Sequence, residues 1–328
     1  MNNKFMKYSI IIPVVKVNDY LRENVKKIVS LSYLDWELII VTDSCELNEW
    51  GDKRIKQLVS GKVGPAEKRD LGATKANGEV LVFLDDDSYP SPNLLDIANK
   101  YFDNIDCIGI GGPGITPKTD TIKQRASGSI FETKILSGCT ERYISNGESR
   151  LIDDWPSVNF MVRKTAFDAV NGFNTNYWPG EDTILCQKLI KYYPNGLLYA
   201  PELIVWHHRR ESVGKHALQV YSYGLHRGYF VRKGIVNSIK LMYFIPSILV
   251  IIIVISATSI LMNFGGGFQF TVFILYVPIL FLGFINICYR HGIKVGYAAI
   301  PLILVTHLCY GLGFIRGIIK TNLVSTLR

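Results

Sequence analysis

The stretch Glu67–Asp87 (EKRDLGATKANGEVLVFLDDD) joins a helical segment to an apolar strand that ends in three consecutive aspartates. Lys68–Ala76 is predicted to be a helix. Glu79–Leu84 has apolar residues in succession rather than in alternation, which is typical of a strand buried on both faces of a parallel sheet. The triplet Asp85-Asp86-Asp87 therefore predicts the point at which this strand leaves the sheet.

Two upstream segments extend this pattern. Tyr8–Val15 (YSIIIPVV) and Trp36–Thr42 (WELIIVT) are further apolar runs rich in β-branched residues. Asn18 can cap the helix between them. Strands alternating with helices predict an α/β fold with a Rossmann-like, mostly parallel sheet flanked by helices. Ligands bind such sheets at the carboxyl ends of the strands, where Asp43 and the aspartate triplet both fall.

The aspartate triplet indicates a metal site. Three adjacent carboxylates repel one another, and a divalent cation would neutralise them. Oxygen ligands suit Mg²⁺ or Mn²⁺, and such ions usually bind through one or two carboxylates together with substrate phosphates. The triplet therefore predicts a divalent cation and a substrate that carries a diphosphate. A solvated acidic turn is the alternative.

The acidic residues are distributed unevenly along the chain. All 28 Asp and Glu residues lie before position 241, so the first 240 residues carry a net charge of +3 and the acid-free remainder carries +5. Three uncharged runs in this remainder are long enough to cross a bilayer as helices. They are Phe244–Met262, Gly267–Cys288 and Val295–Ile315. We expect a catalytic domain at 1–210, a basic juxtamembrane segment at 211–243 and a transmembrane region at 244–328.

Basic residues predict the orientation in the membrane. Seven Lys and Arg against the single acid Glu211 lie between Val205 and Lys240, and the loop Tyr289–Lys294 is also basic, whereas Asn263–Gly266 is uncharged. By the positive-inside rule, the N-terminal domain is expected to be cytoplasmic, on a cell or inner membrane. Membrane lipids are therefore expected partners. Arg316, Lys320 and Arg328 conflict with this arrangement, because three spans would place them outside. Met1–Lys7 is polar, and no signal peptide is expected there.

Several other classes of function are disfavoured. The six cysteines form no C-x-x-C pair, so neither a disulfide scaffold nor a zinc ribbon is indicated. The chain has no Walker motif. Nucleic-acid binding is a weak interpretation of the overall charge of +8, because the excess basic residues lie beside or within the membrane region.

Five segments, in order over Tyr8–Arg210, resemble the family 2 glycosyltransferases. They are SIIIPVVKVNDYLRENVKKIVSL, ELIIVTDS, EKRDLGATKANGEVLVFLDDD, VNFMVRKTAFDAVNGFN and GEDTILCQKL. The resemblance implies a GT-A fold and an enzyme that transfers a sugar from a nucleotide-diphosphate donor, usually with inversion at the anomeric carbon. It also implies a donor that is commonly a uridine diphosphate sugar.

The same resemblance implies roles for the donor-side residues. Pro13 and Asp43 match donor-binding positions, with Asp43 at the nucleotide base, although its neighbours Thr42 and Ser44 depart from the usual pattern. Arg69 would assist the nucleotide or diphosphate. Asp85 and Asp87 would hold the metal, and Asp86 would contact the ribose or the sugar. His207 would supply a further metal ligand, with His208 as the alternative.

The acceptor-side residues follow from the last two segments. Glu181-Asp182 resembles the acidic pair of the family, in which Asp182 would be the general base that takes a proton from an acceptor hydroxyl. Helix capping is the alternative, because acids favour the first turn of a helix. Trp155 and Asn159 lie where relatives meet the acceptor, but Trp155 could equally be a core residue.

Three functions are therefore compared. The leading hypothesis is a membrane-anchored inverting glycosyltransferase acting on a lipid-linked or polysaccharide acceptor. A processive polysaccharide synthase would carry a Q-x-x-R-W motif, and Gln219–Tyr223 lacks its Arg-Trp. A non-catalytic, nucleotide-sugar-binding membrane scaffold is the third possibility, and the retained acidic motifs argue against it.

Overall fold

The computed structural model describes residues 6–47, 49–104, 106–262, 267 and 270–323. The strands are β1 Tyr8–Pro13, β2 Trp36–Thr42, β3 Ile55–Val59, β4 Val80–Leu84, β5 Ser88–Pro90, β6 Gly109–Gly111, β7 Gly114–Ile115, β8 Arg150–Leu151, β9 Asn159–Arg163, β10 Leu197–Tyr199 and β11 Val205–His207. The helices are α1 Asp19–Val29, α2 Pro65–Thr74, α3 Leu94–Phe102, α4 Ile122–Phe131, α5 Lys134–Ser137, α6 Lys164–Ala169, α7 Glu181–Tyr192, α8 Val213–Arg232, α9 Ile245–Leu261, α10 Thr271–His291 and α11 Ile293–Ile319.

The chain divides into two compact units. The first contains residues 6–115 together with Ile144–His207, and the second contains Thr116–Tyr143 together with His208–Leu323. All eleven strands listed above lie in the first unit, and α4, α5 and α8 to α11 lie in the second.

The first unit is built on a mixed sheet with the strand order β3-β2-β1-β4-β9-β6-β10-β8. Strands β1, β2 and β4 are parallel, as the sequence predicts, and the unpredicted β3 is parallel to β2, whereas β9 runs antiparallel to both β4 and β6. A smaller sheet has the order β5-β11-β7. The predicted α/β fold is confirmed, and the antiparallel β9 makes the sheet mixed.

The core explains why the first strands are apolar without alternation. Ile10 and Ile12 of β1 belong to one buried cluster, and Ile11 belongs to the cluster on the other face of the sheet. A strand covered on both faces needs apolar residues at every position. Helix α1 begins where the sequence predicts, because the Oδ1 atom of Asn18 accepts a hydrogen bond from the amide of Leu21 at 2.9 Å.

In the second unit, α8 and α11 approach each other through glycines. A Cβ atom at Gly224 would lie 2.2 Å from the carbonyl oxygen of Tyr310, and one at Gly228 would lie 2.1 Å from that of Phe314. The relation is reciprocal, because Gly313 and Gly317 of α11 meet the backbone of α8 in the same way. The contacts advance along both helices together, so the two helices are parallel. Small residues at four-residue spacing allow such close backbone contact.

His216 of α8 also joins three helices of this unit. Its Nδ1 lies 2.8 Å from Ser127 Oγ in α4, and its Nε2 lies 2.7 Å from Thr306 Oγ1 in α11. Because the Thr306 hydroxyl donates to the carbonyl of Leu302, Nε2 must donate and Nδ1 must accept. Burial lowers the pKa of His216 to about 4, which keeps the ring neutral as this pattern requires.

Within the described residues, three helices are long and apolar enough to cross a membrane, as predicted. They cover Leu241–Leu261, Ile274–His291 and Ile293–Ile319. The third is the most covered by protein, with 44% of its apolar window buried against 17% for each of the others. The predicted outer loop Asn263–Gly266 and the terminal Arg328 lie outside the described residues.

Candidate active site

The aspartate triplet lies at the end of β4 and is held by α1. Asn18 donates through Nδ2 to Asp86 Oδ2 at 2.6 Å, and Asn24 donates to the backbone oxygen of Asp85 at 3.0 Å. Burial and the charge of Asp87 raise the pKa of Asp86 to about 6. The triplet is therefore a site of concentrated negative charge that a cation would relieve.

His207 is brought to the triplet by strand pairing. Strand β11 runs antiparallel to β5 with His207 opposite Ser88, the residue that follows Asp87. As a result, His207 Nε2 lies 3.2 Å from Asp87 Oδ1. Ligand atoms of Asp85, Asp87 and His207 all lie within 4.8 Å of one another. Two carboxylates and an imidazole at this spacing fit a divalent cation such as Mn²⁺ or Mg²⁺.

The neighbouring histidine has a different partner. His208 Nδ1 lies 2.5 Å from Asp120 Oδ1, within the second unit, and the Asp120 carboxylate is almost fully buried. His207, rather than the alternative His208, thus completes the group with Asp85 and Asp87.

The acidic pair Glu181-Asp182 forms the first turn of α7, and its two members have different surroundings. Glu181 is buried, and burial together with the charge of Asp182 raises its pKa to about 7. Asp182 is more accessible, and its carboxylate accepts from the amides of Thr183 at 2.8 Å and Ser157 at 3.4 Å. Only Asp182 of this pair is placed to meet a substrate directly.

Arg69 links the two acidic groups. Its Nη2 donates to Asp85 Oδ1 at 2.6 Å, and its Nη1 donates to Glu181 Oε1 at 2.9 Å. The guanidinium is almost fully buried, and its Nε has no hydrogen-bond partner among the residues that the structure describes. The predicted contact of Arg69 with a donor stays a prediction, and the structure adds two protein carboxylates as its partners. Arg69 thus connects the two acidic groups directly.

Asp43 and Pro13 lie at the carboxyl ends of β2 and β1, as predicted, and Pro13 is buried opposite Val41. The partner of Asp43 was not predicted from the sequence. Lys68 forms an ion pair with Asp43 and also donates to the carbonyl of Val14 at 2.6 Å. The sequence feature that could have indicated this ion pair is the adjacent basic pair Lys68-Arg69 in α2.

Trp155 and Asn159 are buried, which argues against their predicted contact with an acceptor. The Trp155 indole donates to the carbonyl of Gly112 at 3.1 Å and is 1% exposed. The Asn159 amide donates to the carbonyls of Pro113 and Leu203 at 3.3 and 2.7 Å. For Trp155, the core alternative is the one observed. Both residues hold the backbone segments that lead into β7 and β11.

Comparison with known proteins identifies the fold and the family. Residues 9–170 match the family model described as glycosyl transferase family 2. These residues form a family 2 glycosyltransferase domain. A mannosyltransferase from Pyrobaculum calidifontis, solved with GDP-Man and Mn²⁺, superposes with a TM-score of 0.59 at 12% identity and covers 94% of this chain and 88% of its own. At that identity, the likeness supports the GT-A fold alone.

Curated relatives match at low identity. An uncharacterized glycosyltransferase of Rickettsia bellii is 29% identical over 104 residues, which is 30% of this chain but only 15% of that protein. A dolichyl N-acetyl-alpha-D-glucosaminyl phosphate 3-beta-D-2,3-diacetamido-2,3-dideoxy-beta-D-glucuronosyltransferase of Methanococcus voltae is 23% identical over 258 residues, covering 76% of this chain and 74% of that protein. The matched region is thus a small part of the first relative but most of the second.

Proposed function

We propose that this protein is a membrane-anchored, inverting glycosyltransferase that moves a sugar from a nucleotide-diphosphate donor to a hydroxyl of a lipid-linked or polysaccharide acceptor. The observation that carries this proposal is the guanidinium of Arg69. It binds Asp85 of the aspartate triplet and Glu181 beside Asp182, so one side chain connects the metal-type cluster to the segment with the candidate base.

The donor side is assigned from the acidic strand ends. Asp85, Asp87 and His207 would hold a Mn²⁺ or Mg²⁺ ion, which when bound offsets the charge that develops on the leaving diphosphate. Asp43 accepts a hydrogen bond from the nucleotide base, and Lys68 holds its carboxylate in place. Asp86, oriented by Asn18, accepts from a ribose or sugar hydroxyl.

Asp182 performs the proton transfer. It removes the proton of the acceptor hydroxyl as that oxygen attacks the anomeric carbon, and the bond from this carbon to the diphosphate oxygen breaks. Attack on the face opposite the leaving group inverts the anomeric configuration. The buried Glu181 and Arg69 hold Asp182 in position and do not exchange protons with the substrate.

Membrane anchoring rests on the three apolar helices of the second unit. A membrane position suits a lipid-linked acceptor, and the Methanococcus voltae relative is named for a dolichyl-linked one. We place the catalytic unit on the cytoplasmic side because of the basic residues before the first span.

The test combines a donor panel with one substitution. Purified protein is incubated with Mn²⁺ or Mg²⁺ and nucleotide sugars, with and without membrane lipid extract, and release of nucleoside diphosphate is measured. Asp182→Asn should lower transfer by about 10²–10⁴-fold while metal-dependent donor binding persists. Asp168→Asn, on the surface of α6, is the matched control and should leave transfer unchanged.

The other outcomes separate the alternatives. Donor binding without transfer would favour the scaffold, and long polymer products in mass spectrometry would favour the processive synthase. Full activity of Asp182→Asn would refute its assignment as the base.

A further inference from the structure

The second unit is strongly basic. Its residues Thr116–Tyr143 and His208–Leu323 include sixteen Lys and Arg but only four Asp and Glu, a net charge of +12. The four acids are Asp120, Glu132, Glu141 and Glu211. Because the same unit contains the three apolar helices, its excess positive charge belongs to the part of the chain that meets a membrane.

Part of this charge lies at the turn between α10 and α11. The turn is made at Gly292, whose φ of +89° favours glycine. Arg290 precedes this turn and Lys294 follows it, and both side chains are exposed. Tyr289 and Tyr297 are also exposed on either side of it. Tyrosine and basic residues at the end of a span are typical of the membrane–water interface.

Helix α4 is fixed against this turn and adds a further basic residue. Arg125 donates through Nη2 to the carbonyl of His291 at 3.1 Å, and His291 Nε2 lies 2.9 Å from Glu132 Oε2. Beneath these polar contacts, Ala126 and Ile130 belong to a buried cluster with side chains of α10 and α11. Lys123 is exposed and lies in the same helix, two residues before Arg125.

Among the described residues, no carboxylate forms an ion pair with Lys123, Arg290 or Lys294. Glu132 is buried, and its carboxylate is engaged by His291 and by the hydroxyl of Thr116 at 2.7 Å. Asp120 pairs with His208, and Glu211 lies near Lys215. An external anion is therefore the complementary partner for Lys123, Arg290 and Lys294, which we name the basic corner.

We propose that the basic corner binds the phosphate headgroup of an anionic membrane lipid. The adjoining apolar surfaces of α10 and α11 would contact the acyl chains, and the three cations would contact the phosphate. Each Lys or Arg near an anionic membrane surface strengthens binding by about fivefold. This proposal is independent of sugar transfer.

The test measures lipid binding to the full chain in detergent by native mass spectrometry. Phosphatidylglycerol is the anionic probe, phosphatidylcholine is the zwitterionic one, and glycerol 3-phosphate supplies the headgroup without acyl chains. We expect the wild type to retain phosphatidylglycerol in preference to the other two. The triple variant Lys123→Gln/Arg290→Gln/Lys294→Gln should bind it at least about tenfold more weakly.

A charge-matched control separates the basic corner from total charge. Lys62→Gln/Lys75→Gln/Lys100→Gln removes three exposed lysines of the first unit and should leave lipid binding at the wild-type level. The single variants Lys123→Gln and Lys294→Gln, each with a partial loss, replace the triple variant if that variant does not fold. Equal phosphatidylglycerol binding in corner and control variants would overturn the proposal. So would equal retention of phosphatidylcholine, or equally tight binding of glycerol 3-phosphate.

Discussion

The Nη1 atom of Arg69 lies 2.9 Å from Oε1 of Glu181, a residue 112 positions later in the chain. The same guanidinium binds Asp85, so helix α2 connects the end of β4 to the start of α7. A planar guanidinium can bind two carboxylates at once, which the point charge of a lysine cannot do with the same geometry. The relative position of the proposed metal cluster and the proposed base therefore depends on one side chain.

Replacing Arg69 should destabilise the protein strongly. Arg69→Met leaves the buried carboxylate of Glu181 without its cation, and breaking a buried ion pair in this way costs about 3–5 kcal/mol. Arg69→Lys should lose less, because it keeps the charge. Chemical denaturation measures the free energy of unfolding. Lys164→Met, which removes a more exposed ion pair with Asp168, should cost at most about 1 kcal/mol. Similar losses for the two methionine variants would contradict the linking role.

The raised pKa of Glu181 predicts how stability depends on pH. Burial and the charge of Asp182 raise this pKa from 4.5 to about 7. Between these values the folded state keeps a proton that the unfolded state has lost, so this group lowers stability as pH rises, by at most about 1.4 kcal/mol per pH unit. Glu181→Gln should remove that decline, which is visible in the difference between the two curves of unfolding free energy from pH 4 to 8. Glu148→Gln, at an exposed position, should reproduce the wild-type curve.

Metal binding should distinguish the two adjacent histidines. His207 lies 3.2 Å from Asp87, whereas His208 is bound to Asp120. We expect His207→Ala and Asp87→Asn each to weaken Mn²⁺ binding by at least about tenfold, measured by electron paramagnetic resonance without any sugar donor. His208→Ala should bind Mn²⁺ like the wild type. The reverse order for the two histidines would assign the ligand to His208.

Trp155 should affect stability rather than acceptor recognition. Its indole covers Gly111 and donates to Gly112, so Trp155→Ala leaves a cavity and an unpaired carbonyl and should cost about 3–5 kcal/mol. Thermal denaturation measures this loss, and Trp206→Ala, at a half-buried position, should cost less. A Trp155→Ala protein of normal stability with weakened acceptor binding would restore the acceptor role.

The sequence predicts the first half of the sheet because its signals are local. Strands β1, β2 and β4 are apolar runs, and Asn18 caps α1 as its residue type suggests. The approach of His207 to Asp87 is different, since it depends on two three-residue strands, β5 and β11, whose pairing no local pattern specifies. The partners of Arg69 are likewise a result of the tertiary fold.

Burial of polar and aromatic residues was also hard to predict. A tryptophan can stack on a sugar ring or pack in a core. In the structure, the close contact with Gly111 shows that Trp155 packs in the core, because a Cβ atom at Gly111 would lie 2.2 Å from the indole. The polar sequence of α4 gave no indication that it would pack with the apolar helices of the second unit. Its apolar residues Ile122, Ala126 and Ile130 recur every four residues, which indicates a helix with an apolar side but not the partner of that side.

The reciprocal glycines of α8 and α11 have a consequence for biosynthesis. Helix α8 leaves the ribosome about eighty residues before α11, so its glycine face has no partner for most of the remaining translation. Contacts between segments so far apart in sequence also form late. A chain that stops before Gly313 would leave this face permanently uncovered. Cellular quality control would then act on a protein that has a complete catalytic unit but lacks the contact between α8 and α11.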